Sequence, residues 1–157
     1  INRDGIIIEE TRPVIKDLLS EDVVEHMKIL LRAIVEEGTA WKARQIDRPV
    51  YGKTGTTNDY RDAWFIGFDE RLVVGVWVGR NDHTTIGPRE TGSRAALPIW
   101  IEFMSKALAD KPLQYFDIPD DVVKVPMNPS TGRLASDDSP HAVIALFKKG
   151  TEPKQYQ

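Results

Sequence analysis

The most informative stretch of the sequence is Arg48-Pro49-Val50-Tyr51-Gly52-Lys53-Thr54-Gly55-Thr56-Thr57. Its strand-type residues predict a β-strand over residues 49–57. That strand carries a cation at Lys53, hydroxyls at Thr54, Thr56 and Thr57, and no side chain at Gly55. Because a cation beside hydroxyl donors suits a carboxylate, the strand is predicted to be a carboxylate-binding edge.

Two other interpretations of the same residues compete with this one. Gly52-Lys53-Thr54 matches the end of a phosphate-binding P-loop, but that loop needs a glycine five residues before Gly52, where the chain has Asp47. A P-loop also needs a helix after the lysine, whereas a turn and another strand are predicted here, so nucleotide binding is not favoured. A strand whose lysine simply faces water stays open on these residues alone.

The composition limits the class of protein. The 157 residues, 41% hydrophobic and 29% charged, suffice for one domain or one large piece of a domain. A net charge of −3 with scattered Lys and Arg residues argues against a nucleic-acid partner. The chain has no cysteine, which excludes disulfides and thiolate chemistry. No apolar run approaches the roughly 20 residues that span a bilayer, so this segment is expected to be soluble.

Hydrophobic periodicity predicts an α+β fold with an antiparallel sheet. A helix is expected over residues 20–37, then strands over 49–57, 62–69 and 72–80 in a meander, then a helix over 97–109. Val23, Met27 and Leu30 recur at helical spacing, so the first helix is predicted to be amphipathic. Residues 72–78 are apolar on both faces, which predicts a central, covered strand. The second helix is expected to lie across the sheet.

The two ends of the chain have weaker patterns. Residues 1–19 predict a hairpin arm or an extended lead-in that Pro13 interrupts. From residue 111 onward, prolines break up short apolar stretches. Residues 111–157 are therefore predicted to form an irregular C-terminal tail with one possible strand over 142–147, and residues 1–110 form the other part of the chain.

Several further stretches occur in a fixed order around Lys53. They are Arg3-Asp4-Gly5, Glu36-Glu37-Gly38-Thr39-Ala40, Asp62-Ala63-Trp64-Phe65, Glu90-Thr91-Gly92, Ala95-Ala96-Leu97-Pro98-Ile99-Trp100, Ser130-Thr131-Gly132 and Phe147-Lys148-Lys149-Gly150-Thr151-Glu152-Pro153. With the K-T-G strand, this series resembles the C-terminal half of the D,D-transpeptidase domain of class A penicillin-binding proteins, the bifunctional peptidoglycan synthases. The resemblance covers nearly the whole chain and implies the penicillin-binding transpeptidase and serine β-lactamase-like fold, with residues 1–110 in the transpeptidase domain.

The resemblance also implies a chemistry and roles for the strand. In the family, a serine attacks the penultimate D-Ala of a peptidoglycan stem peptide and passes the acyl group to an amine, and β-lactams acylate the same serine. By resemblance, Lys53 is a catalytic and substrate-binding cation near the substrate carboxylate, which the hydroxyls of Thr54 and Thr56 also bind. Gly55 keeps the wall flat, Thr57 completes the substrate-binding set, and the backbone N–H of Thr56 is a catalytic oxyanion donor. No cofactor is expected.

The chain also departs from the family pattern, because it lacks the nucleophile. None of its six serines stands in S-x-x-K or S-x-N, so both motifs are expected upstream of Ile1, and the isolated segment is predicted to be inactive. The implied parent has an upstream half carrying these motifs, a glycosyltransferase domain and a membrane anchor that holds it on the extracytoplasmic, periplasmic face. Tyr51 replaces a usually small residue. The alternative is a non-catalytic binding module that retains the fold.

Other candidate sites are weaker. His26, His83 and His141 have no spacing that indicates a metal site, so no metal is predicted. Asp59 and Asp62 are expected to stabilise a turn and a strand start rather than to form a catalytic pair. The side chains predicted to pack in the core or against helices are Trp64, Trp77 and Trp100.

Overall fold

The protein is described by a computed structural model, in which residues 16, 18–136 and 138–156 are described. Helix α1 spans Glu21–Glu36 and α2 spans Leu97–Ala107. The strands are β1 Tyr51–Thr56, β2 Asp62–Phe68, β3 Val73–Gly79, β4 Val122–Asn128, β5 Arg133–Leu134 and β6 Val143–Lys148. Short 3₁₀ turns cover Trp41–Ile46 and Asn58–Tyr60, and a π-helical turn, Gly92–Ala96, leads into α2. The arm expected over 1–19 lies almost entirely outside the described residues.

The first sheet is the antiparallel meander that the sequence predicts. Its order is β1-β2-β3, so β2 is central and, in the described part of the chain, β1 and β3 are edges. The strand that the sequence predicts to be central over 72–78 is therefore an edge strand within the described residues. Val74, Val76 and Val78 pack toward the core, whereas Val73 and Trp77 point outward and are exposed. The apolar run indicated two covered faces, but only one face of β3 is covered.

Helix α2 covers the inner face of this sheet. Trp100, fully buried, meets the ring of Phe65 edge-on with centroids 4.9 Å apart. The indole N–H of Trp100 donates to the carbonyl of Val74 at 3.1 Å, which satisfies the polar atom inside the core. Leu97 and Met104 of the same helix are fully buried beside it. The expectation that the second helix crosses the sheet is confirmed.

Helix α1 lies where it is predicted, but a different face is buried. Val35 is fully buried, and Glu25 and Lys28 form a buried ion pair. The predicted apolar stripe faces outward, because Val23, Met27 and Leu30 are all exposed. The periodicity correctly predicts a helix, but the apolar face that it predicts is exposed among the described residues.

A second sheet replaces the predicted irregular tail. Its order is β5-β4-β6, with β6 antiparallel to β4 from Val122↔Lys148 to Met127↔Val143. The described part of the tail therefore has three strands, and only β6 matches the predicted strand over 142–147. The strand at β4 is not predicted, because it contains Pro126 and proline usually breaks a strand. Pro126 accepts from Ala135 N–H through its carbonyl on the β5 side, so its missing N–H faces away from β6 and that ladder stays intact.

A buried cluster fixes the start of β1 against the rest of the fold. The Arg48 guanidinium lies 3.6 Å from the Asp69 carboxylate and donates to the carbonyls of Leu108 and Lys111 at 3.3 and 2.9 Å. The Asp69 carboxylate also accepts two backbone N–H bonds in the β2–β3 turn. This cluster ties β1, that turn and the end of α2 together.

Neither α1 nor α2 is long and apolar enough to cross a membrane, and the same holds for every helix in the described part.

Candidate functional site

Strand β1 presents one open edge of the first sheet within the described residues. Thr57 N–H donates across the sheet to the carbonyl of Asp62 at 3.0 Å. Backbone groups alternate sides along a strand, so the N–H of Thr56 and the C=O of Thr54 point the other way, toward the open edge. The predicted oxyanion donor therefore faces a side of the sheet where a ligand can reach it.

The Lys53 side chain bends toward this same edge. Its ammonium donates to the carbonyl of Thr54 at 2.7 Å and to the hydroxyl of Thr54 at 3.3 Å. No ion pair joins Lys53 to an acid among the described residues. Lys53 is exposed, so its charge can meet an anion that approaches the strand. The structure thus brings together the cation, a hydroxyl and the outward N–H of Thr56.

A residue outside the K-T-G motif joins this group. Thr39 follows α1, and its hydroxyl lies 2.9 Å from the hydroxyl of Thr54. The amides of Gly38 and Ala40, on either side of Thr39, both donate to the carbonyl of Ile34, at 3.2 and 3.1 Å. The sequence motifs predict no role for Thr39, although the residue belongs to the Gly38-Thr39-Ala40 stretch that carries the resemblance.

Gly92 holds the C-terminal end of β1 from the inner side. Its N–H donates to the Thr56 hydroxyl at 3.0 Å. A Cβ on Gly92 would lie 2.2 Å from the Trp64 carbonyl oxygen and 2.6 Å from that of Gly55. Only glycine fits there without displacing backbone, so the turn before α2 packs directly on the β1–β2 pair. A Cβ on Gly55 would lie 3.2 Å from the Trp64 Cβ, which agrees with a tightly packed wall at this position.

Asp62 closes the end of the strand. Its N–H donates to the Thr57 hydroxyl at 2.8 Å, and that hydroxyl donates back to the carboxylate at 3.2 Å. The same carboxylate accepts from the indole N–H of Trp77 at 2.9 Å. Asp62 therefore links β1, β2 and β3 and engages the Thr57 hydroxyl within the fold. Asp59 lies in the turn, 3.4 Å from Arg61.

Of the three tryptophans predicted to pack, one does so in the core. Trp100 is buried, but Trp64 and Trp77 are 42% and 43% exposed on the outer face of the sheet, with ring centroids 6.3 Å apart. Gly55 and Trp64 are cross-strand partners, so this aromatic face adjoins the candidate edge. Among the described residues, no group of three or more His, Asp or Glu side chains is arranged to hold a metal ion.

Comparison with known proteins places this geometry in a family. Residues 118–157 match the family described as "Penicillin-binding protein 1A, C-terminal domain". The chain is 41% identical over 153 residues to Penicillin-binding protein 1A of Aquifex aeolicus (strain VF5), covering 98% of this chain and 21% of the relative. It is also 41% identical over 128 residues to Penicillin-binding protein 1A of Pseudomonas aeruginosa, covering 81% of this chain and 16% of the relative.

A solved structure agrees with the sequence comparison. The crystal structure of Penicillin-Binding Protein 1A from Haemophilus influenzae superposes with a TM-score of 0.77 at 32% identity, covering 88% of this chain and 22% of that one. The α+β fold, with its antiparallel sheet and flanking helices, is thus that of the penicillin-binding transpeptidases. Within that class, the chain belongs to the penicillin-binding protein 1A family and corresponds to the C-terminal part of its members. It spans about a fifth of the relatives' length.

Proposed function

We propose that the chain is one part of a peptidoglycan D,D-transpeptidase, which cross-links stem peptides by serine acyl transfer and is acylated by β-lactams. The part described here supplies the K-T-G wall, and a serine elsewhere in the longer protein is the nucleophile. The observation that carries this proposal is the convergence of the Lys53 ammonium, the Thr54 hydroxyl and the outward N–H of Thr56 at one open strand edge.

Each group at the edge has a task in this reaction. The stem peptide lies antiparallel along β1 as an added strand, with its terminal carboxylate between Lys53 and Thr54. The serine attacks the penultimate D-Ala carbonyl, and the N–H of Thr56 donates to the oxygen that gains negative charge. Loss of one such donor costs about 3 kcal/mol of transition-state stabilisation, so the orientation of β1 matters for the rate. A β-lactam carries a carboxylate and a reactive carbonyl and occupies the same positions.

The exposed apolar surfaces support an upstream partner from the same protein. The outer face of the sheet exposes Trp64, Ile66 and Trp77, and α1 exposes Met27 and Leu30. Large exposed apolar surfaces mark interaction sites, and the family relatives are about five times longer than this chain. We propose that the half carrying S-x-x-K and S-x-N covers them, in a membrane-anchored parent, also a glycosyltransferase, that acts on the periplasmic face.

A non-catalytic binding module with the same fold is the alternative. The open edge would bind a stem peptide equally well without a nucleophile, because Lys53 and Thr54 do not depend on one. The coding sequence upstream of Ile1 separates the two functions. If that sequence encodes both S-x-x-K and S-x-N, the enzyme is supported. If it encodes neither motif, the binding module is supported.

Acylation by a labelled penicillin tests the assigned edge. In the longer protein, Lys53→Ala is expected to lower the second-order acylation rate constant by about tenfold to a hundredfold, as loss of a charge-assisted hydrogen bond does. Lys106→Ala is the matched control, because Lys106 is an exposed lysine on α2 paired with Glu102 at 2.6 Å. Equal rates for the two variants would refute the role of the K-T-G edge.

A further inference from the structure

Thr39 contacts the carboxylate-binding edge without belonging to it. Its hydroxyl is 2.9 Å from that of Thr54 and makes no other hydrogen bond among the described residues. The turn that carries it is fixed, since Gly38 and Ala40 both donate to the Ile34 carbonyl and Ala40 is fully buried. A fixed backbone with one exposed hydroxyl aimed at a partner is suited to positioning that partner.

The hydroxyl of Thr54 has three hydrogen-bonding positions to assign. It has one proton to donate and two lone pairs that accept. The Lys53 ammonium, which has only donors, occupies one lone pair from 3.3 Å. If Thr39 donates its proton, the second lone pair is filled as well. The proton of Thr54 is then left to donate to something beyond these residues.

A carboxylate is the acceptor that this arrangement suits. An ionised carboxylate only accepts hydrogen bonds, so it needs the Thr54 hydroxyl as a donor. A Thr54 hydroxyl that donated to Thr39 instead would present a lone pair to the carboxylate and repel it. The direction of the Thr39–Thr54 hydrogen bond therefore decides whether Thr54 can bind the substrate's carboxylate.

We propose that Thr39 is a positioning residue for carboxylate recognition in the transpeptidase. It donates to the Thr54 hydroxyl and so directs the Thr54 proton to the carboxylate of a stem peptide or β-lactam at the β1 edge. This inference rests on the proposed function of that edge. It adds a residue 15 positions away in the chain to the substrate-specificity determinants of K-T-G.

The test uses the longer protein with benzylpenicillin and with its methyl ester, which lacks the negative charge. Thr39→Val keeps the side chain's shape and is expected to lower acylation by benzylpenicillin about threefold to tenfold, while Thr39→Ser restores it to within about twofold of wild type. With the ester, Thr39→Val and wild type should react at the same rate. Thr151→Val is the control, because it removes a hydroxyl that donates to the backbone carbonyl of Lys148 in the C-terminal region.

The outcomes distinguish the proposed role of Thr39 from the proposed function of the K-T-G edge. Equal losses for both ligands would mean a structural role for Thr39 and would overturn the proposal, as would an unchanged rate with benzylpenicillin. Lys53→Ala is measured alongside. If Lys53→Ala slows acylation and Thr39→Val does not, only the role of Thr39 fails. If neither variant slows acylation, the proposed function of the edge fails too.

Discussion

At the scale of single residues, the close packing of Gly92 against the backbone of β1 and β2 shapes the candidate site. Gly92 is 36 residues from Thr56 in the chain, yet its N–H fixes the Thr56 hydroxyl while its Cα region lies against the backbone of Gly55 and Trp64. Gly92 therefore holds Thr56 in place from the inner face of the sheet, while the N–H of Thr56 points to the open edge. A side chain at position 92 would push on the strand that carries the proposed oxyanion donor.

Gly92→Ala is predicted to destabilise the protein by about 1–3 kcal/mol, because the added methyl overlaps the Trp64 carbonyl. The measurement is urea unfolding of the longer protein followed by tryptophan fluorescence. Gly75→Ala is the control, since a Cβ there meets only Ile66 Cγ1 at an ordinary 3.7 Å. Equal unfolding free energies for the two variants would show that the close packing at Gly92 has no energetic consequence.

The residues of the edge differ in how far sequence predicts them. Residue type and strand position predict an anion-binding role for Lys53 and Thr54, but on these residues alone a lysine that simply faces water stays open. Thr39 and Gly92 do not, because their roles depend on contacts across 15 and 36 residues. Short-range patterns do not predict contacts over such sequence separations, which only the packing of the turn after α1 and of the turn before α2 against β1 establishes.

An aromatic cluster joins three elements at the scale of helices and strands. Tyr51 of β1 stacks on Phe68 of β2 at 5.2 Å and meets Phe116, beyond α2, edge-on at 5.6 Å. The Lys28 ammonium of α1 lies 4.2 Å from the Phe116 ring centroid. Tyr51, which departs from the family pattern, is thus the contact between β1 and the segment that leads to the second sheet.

This cluster predicts a pH dependence at alkaline pH. Burial raises the pKa of the Tyr51 phenol above its ordinary value of 10.0, with Glu25 adding to the rise and Arg32 opposing it. The folded state therefore holds the phenol proton more tightly than the unfolded state does. The stability from neutral Tyr51 is fully present below about pH 10 and is lost as pH rises through the folded pKa. The free energy of unfolding should fall more steeply above pH 10 for wild type than for Tyr51→Phe.

The control for this prediction is Tyr156→Phe, which changes an exposed tyrosine. Its unfolding free energy should follow the wild-type pH curve between about pH 8 and pH 11. Matching curves for wild type and Tyr51→Phe would contradict the assignment of the alkaline loss to Tyr51.

The sequence predicts some helices and strands correctly and others only in part, and particular residues explain the difference. The periodicity of α1 and the alternation in β2 indicate their structure directly, because each buries or exposes residues at its own period. Two differences from the predictions have one origin, because the outward apolar face of β3 and the apolar stripe of α1 are exposed among the described residues. A third difference, at β4, comes from Pro126, whose missing N–H points away from the longer ladder with β6. The division near residue 110 stays a prediction.

Across the described residues, the molecule combines one packed core with apolar faces that nothing covers. One core, under α2, is complete, with Trp100 and Phe65 fully buried. Beside it lie an open edge on β1 and outward apolar faces on the sheet and on α1. Composition predicts that the chain can form one core, but it does not predict which apolar faces stay exposed, because composition carries no information on how the elements pack in three dimensions.

Labelling by a fluorescent penicillin shows whether this chain supplies one wall of a penicillin-acylated site while another part of the protein supplies the serine. The isolated 157-residue chain and the longer protein are incubated with the probe and separated under denaturing conditions. We expect a covalent label on the longer protein and none on the isolated chain. A covalent label on the isolated chain would contradict this expectation, because the nucleophile would then lie within these residues.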